Sequence, residues 1–347
     1  MINDRVKEFI IEKPSNIKFS KIIEDLYWAR LPLPFRLDHV NVFAVNSIDG
    51  LVIIDTGINN NETRDCWDII IKNLPLKSEI NKIIITHHHP DHIGLSKYLA
   101  DKLKVKVFAP KKELSRAKKI INLSDKEYSS LLSQNYEEFG LDKDITKKSN
   151  STGNFYKGMV KELPNILNLE EDFQIKTKNG VWEARFDTGH SPSQLSLFDN
   201  VRKIYLCFDF LLPRISPNIS IGIEDNENNV LEEYFKYLNS IIYDMQNDWV
   251  VIPGHEFPYY NPTERAKKLI LHHRTRLELL ITEIKKSPLT VKLAMEVLFG
   301  KIKNSHDLFF ASCETKAHLN YLFNTDKILI DKKERTYKYK YNYRNYS

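Results

Sequence analysis

Four histidines and one aspartate occupy the six positions from His87 to His92, in the stretch ITHHHPDHIG. No other feature restricts the chain so tightly. The apolar run NKIIIT leads directly into it and reads as a buried strand. Side chains two apart on an extended segment share a face, so His87 and His89 point one way and His88 the other. Pro90 suits the first position of a helix, which puts Asp91 and His92 in its first turn. Four side chains, with His88 excluded, then converge at one strand end. Neutral imidazoles and a carboxylate are donors that zinc prefers, and packing them without a cation would leave polar groups unpaired. The alternative is a polar turn with solvent-exposed histidines.

Three later positions share this placement. His190 closes RFDTGH, Asp209 closes IYLCFD and His255 closes VVIPGH, each just beyond an apolar, strand-like run. In α/β sheets, strand ends are where sites are assembled. A lone His or Asp there is ordinarily a hydrogen-bonded loop residue. Five histidines and two aspartates together make that explanation improbable.

The surrounding pattern alternates strands and helices, an α/β (α+β) signature. DLYWARLPL, HVNVFAVNS and GLVIIDTG read as strands. NETRDCWDIIIKNL reads as a helix that buries Ile69, Ile70 and Leu74, DHIGLSKYLADKL as a second helix, and VKVFAP as a strand. Residues 111–168 are Lys- and Glu-rich and read as a helical insertion. Strands resume at DFQIKTKNGVWEARFDTG, where KNG marks a hairpin turn, and continue through QLSLFD, RKIYLCFDF and DWVVIPGHE. NVLEEYFKYLNSII and PTERAKKLILHHRTRLELLITEIKK are helical. From Ser287 onward, two helices and a hairpin suggest a winged-helix-like module.

The length of 347 residues allows one domain of about 250 residues plus an appendage. The net charge of +5 is uneven: from Asp326 onward there are seven Lys or Arg against three Asp or Glu. A basic end, not a basic body, therefore calls for explanation. Cys66, Cys207 and Cys313 are scattered and odd in number, which argues against a disulfide framework and for a reducing, cytoplasmic setting. No apolar run reaches the roughly 20 residues that span a bilayer, so no membrane role is expected. The opening MINDRVKEFIIEKPSN lacks the apolar core of a signal peptide.

Taken together, IIDTG, THHHPDHIG, DTGH, CFDF and PGHE, in this order, resemble the metallo-β-lactamase-fold hydrolase superfamily over roughly residues 25–268. The resemblance implies an αββα sandwich with the site along one edge. It implies that His87, His89 and His190 hold one metal, that Asp91, His92 and His255 hold a second, and that Asp209 bridges both. It also makes Asp55 a carboxylate that supports the ligand loop, although a turn-capping role is an equal alternative. One departure is visible: the bridging aspartate usually follows glycine and here follows Phe208. The ligand role is expected to survive with the local backbone altered. The expected organisation is a catalytic domain over 1–286, with its insertion at about 111–168, and a winged-helix-like domain over 287–347.

Such a ligand set implies two divalent ions, zinc by default, with iron or manganese as alternatives. Two cations about 3.5–4 Å apart can share a water and lower its pKa towards ~7. The resulting hydroxide attacks an electrophilic carbonyl or phosphorus, and Asp91 orients the water or carries a proton. Asp187 is placed like Asp55. His39 and Asn41 lie near the expected site but read as strand-pairing or core residues, and His272 and His273 read as packing or solvent-facing. LPLPFRLDHVNVF and LLPRISPNISI resemble glyoxalase-II-like members of the fold, whereas HHRTRLELL through ETKAHLNYLFNTDKILI resembles the tail of the lactamase-β-like endoribonucleases. The first reading is hydrolysis of a small ester or thioester, acyl-glutathione- or acyl-CoA-like. A nuclease acting on single-stranded RNA through the Lys- and Tyr-rich end is the second, and a lactonase the third. The basic end otherwise reads as a Lys-protected edge strand, with packing or homodimer contact as its role.

Overall fold

The computed structural model describes residue 9 and residues 11–74, 79–224, 228–302 and 304–343. Most of the first ten residues, read above for a leader, and residues 344–347 of the basic end lie outside them. Among the described residues no helix is long and apolar enough to cross a membrane.

Two compact units emerge, each discontinuous in sequence. The first comprises Met1–Asn122, Phe155–Pro217 and Asp244–Arg265, and the second Leu123–Asn154, Asn218–Tyr243 and Ala266–Ser347.

The first unit contains two sheets. One has seven strands in sequential order: β1 (Ser20–Ile23), β2 (Leu26–Pro32), β3 (His39–Ser47), β4 (Gly50–Ile54), β5 (Ile80–Ile84), β6 (Lys106–Ala109) and β7 (Ile166–Asn168). Its first four strands are antiparallel neighbours and its last four are parallel. The crossover from β4 to β5 is α1 (Asn61–Lys72), and that from β5 to β6 is α2 (Pro90–Ile93) and α3 (Ser96–Leu103). Between β6 and β7 lie α4 (Lys111–Asn122), α5 (Asp125–Glu138), α6 (Lys143–Ser149) and α7 (Phe155–Val160). The segment read as a helical insertion therefore ends in a strand, β7, whose Ile166–Asn168 pairs with Val107–Ala109. Three residues are too few to show periodicity in the sequence.

The second sheet has the order β13-β12-β11-β10-β9-β8, built from β8 (Gln174–Lys176), β9 (Val181–Asp187), β10 (Gln194–Asp199), β11 (Ile204–Phe208), β12 (Val250–Pro253) and β13 (Tyr259–Tyr260). The KNG hairpin joins β8 to β9.

Alternation along the strands explains the sandwich. Val52 and Ile54 of β4 and Ile84 of β5 share one core with Leu195, Leu197, Leu206 and Ile252 of the second sheet. Ile53 and Ile83 point to the opposite face and pack with Cys66, Trp67 and Ile70 of α1 and Leu99 of α3. The buried face of α1 is Thr63, Cys66, Trp67 and Ile70, the i, i+3, i+4, i+7 spacing of one helix face. Ile69, expected inside, falls off that face and is 38 % exposed.

The single helix read after Pro90 is instead two. Between α2 and α3, Leu95 N–H donates to Gly57 O (3.1 Å) and to Thr56 Oγ1 (3.2 Å), and Thr56 N–H donates to His92 O (2.8 Å). Gly94 permits this approach, because a Cβ there would lie 2.7 Å from Gly57 O and from Asn59 N.

In the second unit, α8 (Val230–Asp244) and α9 (Pro262–Lys286) contribute most of their length. They are followed by α10 (Val291–Phe299), capped by Thr290, α11 (Ser305–Asn324), capped by Asn304, and an antiparallel hairpin of β14 (Ile328–Asp331) and β15 (Lys338–Tyr341). Leu289 bridges to Tyr339 beside this hairpin.

Candidate metal centre

Every residue singled out as a ligand lies just past a strand end or in the first turn of α2. His87, His89, Asp91 and His92 follow β5, His190 follows β9, Asp209 follows β11 and His255 follows β12. The structure gathers them into two groups. His87, His89 and His190 form one, and Asp91, His92, Asp209 and His255 form the other, with the donor atoms within each group lying within 4.8 Å of one another. Asp209 Oδ2 faces both groups: it is 3.9 Å from His87 Nε2 and 3.7 Å from His190 Nε2 on one side, and 3.3 Å from His92 Nε2 and 3.1 Å from His255 Nε2 on the other.

Hydrogen bonds on the far side of three imidazoles leave Nε2 as the inward atom. His92 Nδ1 donates to Asp55 Oδ2 (2.8 Å), and His255 Nδ1 donates to the His39 carbonyl (2.7 Å). His87 Nδ1 donates to Thr86 Oγ1 (3.0 Å), whose own proton goes to Asp55 Oδ2 (2.8 Å). Asp55 Oδ1 accepts the Thr86 N–H (2.8 Å). Asp55 thus supports a ligand of each group, and its left-handed φ of 64° turns the chain out of β4. Partners of this kind fix tautomer and ring orientation at metal sites.

The electrostatics divide the two groups. Burial pushes the His87 and His89 imidazoles well below their ordinary pKa, and neighbouring histidines add to the effect. Burial acts in the same direction on His92, but Asp209, Asp91 and Asp55 together override it and hold that imidazole well above the ordinary value. Asp209 is buried too, yet His255 and His92 keep its carboxyl well below the usual carboxylate range. Among the described residues, Asp55, Asp91 and Asp209 form ion pairs with histidines alone.

These residues fit a pair of divalent cations. Asp209 Oδ1 is buried and has no hydrogen-bond partner among the described residues, a cost of about 1–3 kcal/mol that a cation would remove. A Cβ at Gly254 would stand 2.3 Å from Asp209 Oδ1, so only glycine leaves room for that carboxylate. Three carboxylates in a buried cluster of imidazoles also call for positive charge.

At Phe208 the backbone keeps a left-handed φ of 47°, a conformation that glycine adopts without steric cost. The phenylalanine costs about 1–2 kcal/mol there. It is fully buried in the core between the sheets, with its ring 5.7 Å from that of Phe43, and such burial contributes about 1.5–3 kcal/mol. The two roughly cancel, so the substitution leaves Asp209 in place.

Residues outside the candidate ligand set have definite partners of their own. His88 joins neither group. Its N–H and Nδ1 donate to Glu113 Oε2 at 3.0 and 2.6 Å. Asp187 is taken by Arg185 Nε (2.7 Å) and also joins neither group. His39 is more than a strand residue: besides receiving His255, its Nε2 accepts the Glu256 N–H (2.8 Å). Asn41 Nδ2 donates to Pro253 O (3.1 Å) and Glu256 O (3.0 Å), and its N–H donates to Gly254 O (2.7 Å). Both therefore hold the turn that carries His255. The sequence reading missed Glu113. Its only signal is one acid among lysines in KKELSRAKK, which resembles a solvated helix face.

The sequence profile of the metallo-beta-lactamase superfamily matches residues 36–255. A probable metallo-hydrolase of Bacillus subtilis, YqjP, is 25 % identical over 305 residues, spanning 86 % of this chain and 92 % of that protein. Among solved structures, a beta-lactamase domain protein from Burkholderia ambifaria superposes with a TM-score of 0.87 at 24 % identity, covering 98 % of this chain and 99 % of that one. A metallo-beta-lactamase family protein from Thermus thermophilus gives 0.75 at 23 % identity, covering 92 % and 100 %. With two sheets packed face to face, His and Asp groups at their strand ends and a profile match across most of the chain, the protein belongs to the metallo-beta-lactamase superfamily and is a metal-dependent hydrolase.

Proposed function

We propose that the protein is a dinuclear enzyme, zinc-loaded by default, that hydrolyses a small ester or thioester of the acyl-glutathione or acyl-CoA kind. The observation that carries the dinuclear reading is the single carboxylate, Asp209, facing the nitrogens of both ligand groups. A bound pair of divalent ions would supply an activated water and polarise the scissile carbonyl. This chain's residues do the rest. The Nε2 atoms of His87, His92 and His255 are aimed inward by Thr86, Asp55 and the His39 carbonyl. Asp91 has a side chain 20 % exposed, against 7 % for Asp209, so of the two it is the carboxylate that meets solvent and can hold or pass a proton.

The small-substrate reading is supported by the state of the C-terminal hairpin. A strand that stacks bases needs accessible rings; within the hairpin strand Tyr339 and Tyr341 are 0 % and 8 % exposed, and an exposed ring, Tyr343 at 69 %, lies beyond it. Of the cations there, Lys340 pairs with Asp331 (2.5 Å) and Lys338 with Glu334 (3.3 Å). Leu289, beside the hairpin, shares backbone hydrogen bonds with Tyr339, which fits a packing role within a winged-helix-like module. The test is a hydrolysis screen of metal-loaded protein against thioesters, esters, lactones, phosphodiesters and labelled RNA. Metal-dependent turnover of thioesters or esters is expected. Metal-dependent RNA cleavage with no ester turnover would overturn the substrate assignment.

A further inference from the structure

The first ligand group depends on two loops remote in sequence. One, after β5, carries His87 and His89, and the other, after β9, carries His190. The strand β10 that follows the second loop meets the first where Leu195 N–H donates to Thr86 O (3.0 Å). A second link is a side chain, that of Glu113 in the first turn of α4.

Glu113 is 1 % exposed, and its two oxygens are divided between the loops. Oε2 accepts the His88 N–H (3.0 Å) and His88 Nδ1 (2.6 Å). Oε1 accepts the Ser191 hydroxyl (2.7 Å) and the Ser193 N–H (2.5 Å). A buried carboxylate is costly unless its lone pairs are satisfied, and here four donors satisfy it, two from each loop. Of the loop residues it holds, His88 lies between His87 and His89, and Ser191 directly follows His190. The His88 carbonyl is held as well, by the Tyr156 hydroxyl of α7 (2.7 Å).

We infer that Glu113 is a positioning residue for the first ligand group: by clamping His88 to Ser191 and Ser193, it sets the spacing between His89 and His190 and hence that group's affinity for its ion. The inference rests on the dinuclear reading above. Glu113 itself belongs to neither ligand group. Its oxygens serve as acceptors only, so Glu113→Gln cannot replace it: whichever way the amide turns, its NH₂ faces a backbone N–H, that of His88 or of Ser193, which can only donate. His88, passed over as a ligand, becomes the arm through which the clamp reaches its loop.

The test is a competitive zinc titration of the full chain, with thermal unfolding of each metal-free variant alongside. In Glu113→Gln the affinity for one of the two ions is expected to fall about 10–100-fold, the usual effect of losing a supporting residue, while the other ion changes less than about threefold. Cobalt substitution gives a second readout, since only one of the two ions should change its absorption. His88→Ala removes one of the four bonds and should give a smaller loss for the same ion. His88→Asn, which returns a donor near Nδ1, should recover most of that loss, and a merely structural role would not produce this selectivity and rescue. Should Glu113→Gln fail to fold, the His88 pair and Ser191→Ala carry the same test. Two ions weakened equally, or neither weakened, in protein whose wild type binds two would overturn this inference alone. A wild type that binds one ion or none contradicts the dinuclear reading and takes this inference with it.

Discussion

Two histidine clusters occur in this chain, one in each compact unit, and by proximity alone both look like metal sites. His272, His273 and Glu314 bring donor atoms within 4.8 Å of one another, just as the two groups around Asp209 do. Their partners differ. In the second unit His318 Nδ1 donates to the Glu314 carbonyl (2.8 Å), which leaves His318 Nε2 to accept His273 Nδ1 (3.1 Å). Burial holds both rings neutral, with His318 pushed down to about 3. Burial raises the Glu314 carboxyl to about 7, although Arg276 is bound to it and opposes the rise. A cation is already in place, and it is a guanidinium. Around Asp209, three carboxylates have only histidines for countercharge among the described residues. Histidine density is therefore a weak guide to a metal. Carboxylates buried without Lys or Arg are a stronger one.

The comparison breaks most sharply at Asp209. Asp209→Ala is expected to abolish binding of the ion pair and to lower hydrolysis by more than the roughly 10–100-fold that loss of a supporting residue costs. Elemental analysis and a rate measurement on folded protein check this. Full metal content and full activity would refute the bridge.

Next in size is a paired substitution, one in each cluster. His89→Ala should lose metal and activity together, whereas His273→Ala should keep both ions and lose stability by about 1–3 kcal/mol, because the buried His318 Nε2 loses its donor. Metal content and denaturant unfolding separate the two outcomes. If His273→Ala lost an ion, the second cluster would have to be counted as a site.

Proton release sharpens the contrast within the centre. His92 is held above its ordinary pKa in the metal-free chain, so at pH 7 it carries a proton that a ligand must give up, while His87 and His89 are already neutral. Adding zinc to metal-free protein in weak buffer should release protons from the second group, where His92 and His255 are both held above their ordinary pKa. That release should shrink as the pH rises through the elevated His92 pKa. A release that grew with pH would contradict the assignment.

The smallest effect on the metal centre is expected at Phe208. Phe208→Gly relieves the left-handed strain, about 1–2 kcal/mol, but empties a fully buried position that costs about 3–5 kcal/mol, so a net loss of about 1–4 kcal/mol with metal content unchanged should follow. Chemical denaturation would detect it.

The residues of the two His and Asp groups were legible in the sequence because the information is local. Residues two apart on an extended segment share a side, and a His or Asp directly after an apolar run marks a strand end. The sandwich was legible for the same reason, since Ile53 and Ile54, or Ile83 and Ile84, send alternate side chains to two cores. What escaped depends on contacts between distant segments. Glu113 meets Ser191 and Ser193 across about eighty residues, and no spacing rule reports that. The break at Gly94 comes from a turn at Thr56 and Gly57, and β7 exists because β6 offers it an edge. Ile69 was misplaced for a simpler reason: in a run of three isoleucines, only Ile70 falls on the buried face of α1.

If seven side chains form one dinuclear centre and the second histidine cluster forms none, the number of bound ions is fixed. Native mass spectrometry of zinc-reconstituted wild-type protein counts the ions directly. Two ions per chain are expected, a number that falls in Asp209→Ala and is unchanged in His273→Ala. One ion per chain after full reconstitution, or a third that disappears with His273, would contradict that expectation.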